Sequence, residues 1–90
     1  MNYLSLGGDT VVSTDDVLAV CDLDNASYSH ITRDFLKIAQ QEGRIALVTD
    51  DLPRSMILCR TESGKETVYL SGLNAATLLK RAEAGLSELI

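Results

Sequence analysis

The side chains able to do chemistry in this 90-residue chain are few, and their spacing argues against a reaction centre. His30 is the single histidine, with no nucleophile–base partner near it in sequence, so neither a Ser-His-Asp nor a Cys-His arrangement is expected. It opens a helical stretch, where capping and solvent-facing residues are usual. Carboxylates recur as Asp15-Asp16, Asp22 with Asp24, and Asp50-Asp51. None has the Asp-x-Asp-x-x-Gly…Glu spacing of a calcium loop, and carboxylates in turns more often bond their own backbone, so no metal site is expected. Gly7-Gly8-Asp9-Thr10 follows an apolar alternation, as a phosphate loop would. It lacks the Lys-Ser/Thr pair and no helix follows, so it reads as a hairpin turn. Cys21 and Cys59 lie inside the apolar runs 17–21 and 56–59 and are expected as buried, reduced thiols. The chain is read as a non-enzyme with no cofactor and no small-molecule substrate.

What remains is positive charge. Arg33, Lys37 and Arg44 fall at i, i+4 and i+11 along one side of a predicted helix and its exit. Spacing alone suits a solvated face. Arg54, beside Pro53 on a loop, is better placed to reach an anion. These four are the candidate nucleic-acid contacts. The net charge of −5, from 13 acidic and 8 basic residues, opposes binding through the general field of the molecule. Useful DNA affinity at physiological salt needs roughly 6–10 neutralised phosphates. One subunit falls short of that, so any DNA role requires an assembly that repeats the same loop.

The elements that must position these residues follow from the hydrophobic pattern. Leu4 and Leu6 alternate with Tyr3 and Ser5, turn at Gly7-Gly8-Asp9, and return through Val11-Val12 as a hairpin. Residues 17–21 form a nearly continuous apolar run that suits a central strand. From about Ser29 to Glu42 the period becomes helical, with Ile31, Phe35, Ile38 and Ala39 as one stripe. Ser27 or Ser29 is the expected cap, and Gly43 the left-handed residue that ends the helix. An apolar strand over 44–49, a loop over 50–54, and strands over 55–61 and 66–70 follow. Gly64 supplies the positive φ of the last hairpin. A second helix over 75–86, capped by Asn74 and frayed or ended at Gly85, carries Leu78, Leu79, Ala82 and Leu86. The order β-β-β-α-β-β-β-α predicts an α+β domain over residues 1–90, a small mostly antiparallel sheet with two helices.

Aromatics are limited to Tyr3, Tyr28, Tyr69 and Phe35, so the core must be aliphatic. A chain this short with surplus apolar area can bury it by self-association, which makes a homo-oligomer the expected partner. No stretch approaches the roughly 20 apolar residues that span a bilayer, and the N-terminus lacks a basic leader, so a cytoplasmic protein without membrane contact is expected.

With its segments placed, the sequence resembles the RemA/RemB family of bacterial extracellular-matrix regulators, and the RemB branch most. The resemblance rests on Tyr3-Leu4-Ser5-Leu6-Gly7-Gly8-Asp9, Val11-Val12-Ser13-Thr14, Asp22-Leu23-Asp24 and Glu42-Gly43-Arg44. It continues through Asp51-Leu52-Pro53-Arg54-Ser55, Tyr69-Leu70-Ser71 and Ala76-Thr77-Leu78-Leu79-Lys80-Arg81-Ala82. Each motif is unspecific alone; their order and spacing over roughly residues 3–82 are not. The resemblance implies a fold similar to LytTR-type DNA-binding domains, ring-like homo-oligomers, and activation of biofilm-matrix genes by DNA binding. In the RemA branch, an arginine after the early Val-Ser motif and an arginine cluster in the later loop grip DNA. Here those positions hold Asp16 and Asp51-Leu52-Pro53-Arg54, and only Arg54 keeps the charge.

Overall fold

Successive side chains of a strand point to opposite faces, so Leu4 and Leu6 share one, and both are buried. They belong to β1 (Tyr3–Gly7), which pairs antiparallel with β2 (Thr10–Ser13). The turn between them holds Gly7 and Gly8 at φ of 109° and 54°, a region that side chains with a Cβ rarely enter. A 3-10 turn over Thr14–Asp16, capped by the Ser13 hydroxyl accepting from the Asp15 N–H, leads into β3 (Val17–Asp22). Then come α1 (His30–Gln41), β4 (Ile45–Leu47), β5 (Ser55–Arg60), β6 (Glu66–Ser71) and α2 (Ala75–Ser87). This computed structural model describes residues 2–24 and 30–87. The element order and the α+β class are those expected from the sequence.

The strands divide into two sheets rather than one. β1 and β2 stand apart, and the larger sheet has the order β3-β5-β6-β4. Its β3–β5 and β5–β6 pairs are antiparallel, while β4 lies parallel to β6. The parallel pair arises because α1 carries the chain across one face and sets it down on the far edge. β3 is therefore an edge strand, not the central one its apolar run suggested. β5, reading Ser-Met-Ile-Leu-Cys-Arg, takes a central place instead, with strands on both sides.

Each face of the larger sheet has its own cover. Met56 and Val68 meet Ala39, Phe35 and Leu36 of α1 on one face. Ile57 and Cys59 meet Leu4, Leu6 and Val12 of the hairpin and Leu78 of α2 on the other. The helical stripe of α1 is rotated from expectation: Phe35 and Ala39 turn inward, but Ile31 and Ile38 are 80% and 50% exposed, and Leu36 takes the inward place. α1 ends as expected, with Gly43 at φ 71°. Its expected caps, Ser27 and Ser29, lie outside the described residues. The Thr77 N–H donates to Asn74 Oδ1 at 2.8 Å, the expected cap of α2, which runs on through Gly85 instead of ending there.

Two serines staple the layers. Ser55 and Ser71 are opposite one another in the β5–β6 register, and both are fully buried. The Ser71 hydroxyl donates to the Leu6 carbonyl of β1 and accepts from the Leu73 N–H at 3.1 Å. The Ser55 hydroxyl donates to the Leu73 carbonyl at 2.8 Å. Ser71→Ala leaves the buried Leu6 carbonyl and the part-buried Leu73 N–H without the partner Ser71 supplies, at an expected cost of about 1–3 kcal/mol. Urea unfolding checks this; a midpoint unchanged from wild type would contradict it.

Candidate nucleic-acid interface

Arg54 is held in place by its backbone. Its N–H donates to the Ser71 carbonyl at 2.8 Å, and its own carbonyl accepts from the Leu23 N–H at 3.0 Å. The loop between β4 and β5 is thus tied to the ends of both β6 and β3. Arg54 emerges at the end of the sheet where β3 and β6 finish and β5 starts. Its side chain is not free. Nε donates to Asp24 Oδ2 at 2.9 Å and Oδ1 at 3.2 Å, and Nη2 lies 2.9 Å from Oδ2. That bond, then the charge of Asp24, raises the guanidinium pKa above its already high ordinary value. The pair is about half exposed, so water and salt screen it strongly.

Arg44 sits at the opposite end of the sheet and faces inward. Its guanidinium lies over the Phe35 ring, 5.6 Å from the centroid, with Nη1 3.1 Å from Glu66 Oε2 and Nη2 3.2 Å from Glu42 Oε1. Nε is buried with no hydrogen-bond partner. Arg60 completes the group by donating to Glu66 Oε1. These arginines, Arg60 through its hydrogen bond first, hold the Glu66 carboxyl below its ordinary range despite partial desolvation. This four-residue network joins the exit of α1 to the β5–β6 hairpin.

Arg33 and Lys37 lie between these ends, both exposed on α1. The four positions singled out by sequence therefore do not form one patch: Arg54 leads at one end, and Arg44 is occupied at the other. His30 is exposed at the start of α1. Sequence reasoning missed Asp24 as the partner of Arg54 and Glu66 as the partner of Arg44. Separations of 30 and 22 residues leave no local signal for either pair.

The cysteines are both free. Cys21 stands opposite Met56 and Cys59 opposite Val17, so the register keeps them apart. Burial, then the negative charge of Asp16, pushes the Cys59 thiol from 9.0 to about 11. Alkylation at pH 8 is expected to modify half-buried Cys21 well before Cys59, as peptide mass mapping reports; equal rates would contradict this. Above pH ~9 the unfolded thiol ionises while the folded one keeps its proton, so this contribution to stability is lost as pH rises from 9 to 11.

Among the described residues no group of His, Cys, Asp and Glu gathers to hold a metal, and no helix is long and apolar enough to cross a membrane.

Comparison with known proteins gives two findings. The sequence model of the RemA-like family, described as extracellular matrix regulatory protein A-like, matches residues 3–82. Extracellular matrix regulatory protein B of Bacillus subtilis (strain 168) is 33% identical over 81 residues, covering 90% of each chain.

Proposed function

The chain belongs to the RemA-like family of extracellular matrix regulators, and from that premise we propose that it is a homo-oligomeric transcriptional regulator of biofilm-matrix genes, meeting DNA through Arg54 repeated around the assembly. The observation that carries this reading is the anchoring of Arg54: a backbone fixed to β3 and β6 presents the same cation at the same place on every copy. Arg33 and Lys37 add charge from α1. Arg44, enclosed by Glu42 and Glu66, holds the fold. The net charge of −5 makes repetition essential, because a lone subunit repels the phosphate backbone. Kinship with LytTR-type domains, a closed ring and a cytoplasmic site of action are parts of the same proposal. A salt titration of binding to a matrix-gene promoter tests it. Affinity falling steeply between 50 and 200 mM salt, about 10³-fold or more, is expected; no binding at low salt contradicts it.

A second reading is favoured by one observation, the clamp of Asp24 on Arg54. If that pair persists in the assembly, the protein is a scaffold that binds protein partners and not DNA. Asp24→Asn separates the two. It releases the guanidinium, and the DNA-binding reading expects several-fold tighter retention of promoter DNA, measured by fluorescence anisotropy. Under the scaffold reading the variant gains nothing.

A further inference from the structure

The loop that delivers Arg54 also carries two exposed carboxylates, Asp51 and Asp50, three and four residues before it. Side chains so close in sequence reach one another readily when the backbone between them is loose. A carboxylate beside the guanidinium would repel the same phosphate that the guanidinium attracts. Yet among the described residues no ion pair involves Asp50 or Asp51. The anion that reaches Arg54 is Asp24, 30 residues away, and Asp22 acts on it more weakly.

Both ends of the loop rest on the end of β6. At the entry the Val48 N–H donates to the Leu70 carbonyl at 2.9 Å, and at the exit the Arg54 N–H donates to the Ser71 carbonyl at 2.8 Å. The exit half is stiff by composition, because Pro53 fixes its own φ and keeps Leu52 extended. The entry half has no proline and is held by Thr49 instead. The Thr49 hydroxyl accepts from the Asp51 N–H at 3.1 Å, closing a turn on the two aspartates. Thr49 is seated in turn on Gly72, the residue after Ser71. A methyl group at position 72 would lie 3.0 Å from Thr49 Oγ1 and 3.2 Å from its Cβ. Carbon contacts are optimal at roughly 3.5–4.0 Å, so glycine is what lets the threonine sit this close.

We propose that Thr49 and Gly72 are positioning residues that turn Asp50 and Asp51 away from Arg54, so that the loop offers phosphate a cation instead of a neutralised cluster. This rests on Arg54 meeting DNA, as proposed above, and names what keeps that contact usable. Neither residue touches the nucleic acid; both act through the two carboxylates. In an assembly the same correction is repeated on every subunit.

Thr49→Val keeps the shape of the side chain and removes only the hydroxyl, leaving an exposed N–H to water, so its melting temperature is expected to stay near that of wild type. Its affinity for promoter DNA at low salt, read by fluorescence anisotropy, is expected to fall roughly fivefold or more. Thr49→Ser keeps the hydroxyl and is expected to bind as wild type does. With Asp50→Asn and Asp51→Asn already in place, adding Thr49→Val should cost nothing, since no carboxylate remains to misplace. Three results overturn the inference: wild-type affinity in Thr49→Val, an equal loss in Thr49→Ser, or the same loss with both aspartates replaced. Gly72→Ala is expected to act in the same direction, and wild-type affinity in a folded Gly72→Ala removes Gly72 from the device; should that variant misfold, Thr49→Val decides. Full DNA binding by Arg54→Ala is the separate outcome that sinks the DNA contact itself, and this inference with it.

Discussion

Arg54→Ala is expected to lower promoter DNA retention by roughly 10²-fold or more while leaving the fold and the assembly intact. The argument is one of repetition. Among the described residues the side-chain ion pair of Arg54 is with Asp24, a half-exposed pair, so its loss removes little from the fold. Its backbone bonds to Ser71 and Leu23 do not depend on the side chain and remain. In an assembly, however, one substitution deletes the same phosphate contact from every subunit. The slope of log affinity against log salt should flatten by about 0.9 for each contact removed. Electrophoretic shifts across a salt series read both effects. Wild-type affinity and slope in Arg54→Ala would place DNA contact elsewhere or nowhere.

Ile57→Ala is expected to destabilise the fold by about 2–5 kcal/mol, a large part of the 5–15 kcal/mol typical of whole domains. Ile57 is fully buried on β5, opposite Val20 of β3 and Tyr69 of β6. Its side chain meets the hairpin and α2, so the cavity left behind opens where two layers join. Collapse around it is hindered because strands flank β5 on both sides. For a chain of this size, that cost corresponds to a melting temperature lower by roughly 10–30 °C. Calorimetry decides; a shift under ~2 °C would mean that the core is elsewhere.

Much of the fold was legible because its signals are local. The Leu4/Leu6 alternation, the Gly7-Gly8 turn, the helical period through Phe35 and Ala39, and the caps Asn74 and Gly43 are properties of short windows. Pairing partners are not. An apolar run such as Val17–Cys21 reads as central, yet its place at an edge follows from where α1 sets β4 down, some 25 residues later. Likewise Ile31 fits a helical stripe, but which arc of the helix meets the sheet is set by packing against Met56 and Val68, residues far along the chain.

The candidate site was legible only in part, for the same reason. Arg54 beside Pro53 announced a loop cation, and the structure presents it from a fixed backbone. Its neutralising partner, Asp24, lies 30 residues away in sequence. Arg44 read as a surface cation at a helix exit, but Phe35, Glu42 and Glu66 draw it inward. Long-range ion pairs decide which arginines remain available, and no periodicity encodes them.

Mass in solution, with and without promoter DNA, bears most directly on the claim that repetition builds the working surface. Sedimentation at high protein concentration should find a defined oligomer, with DNA carried by that species and not by free subunits. A strict monomer at every concentration, with or without DNA, would contradict it.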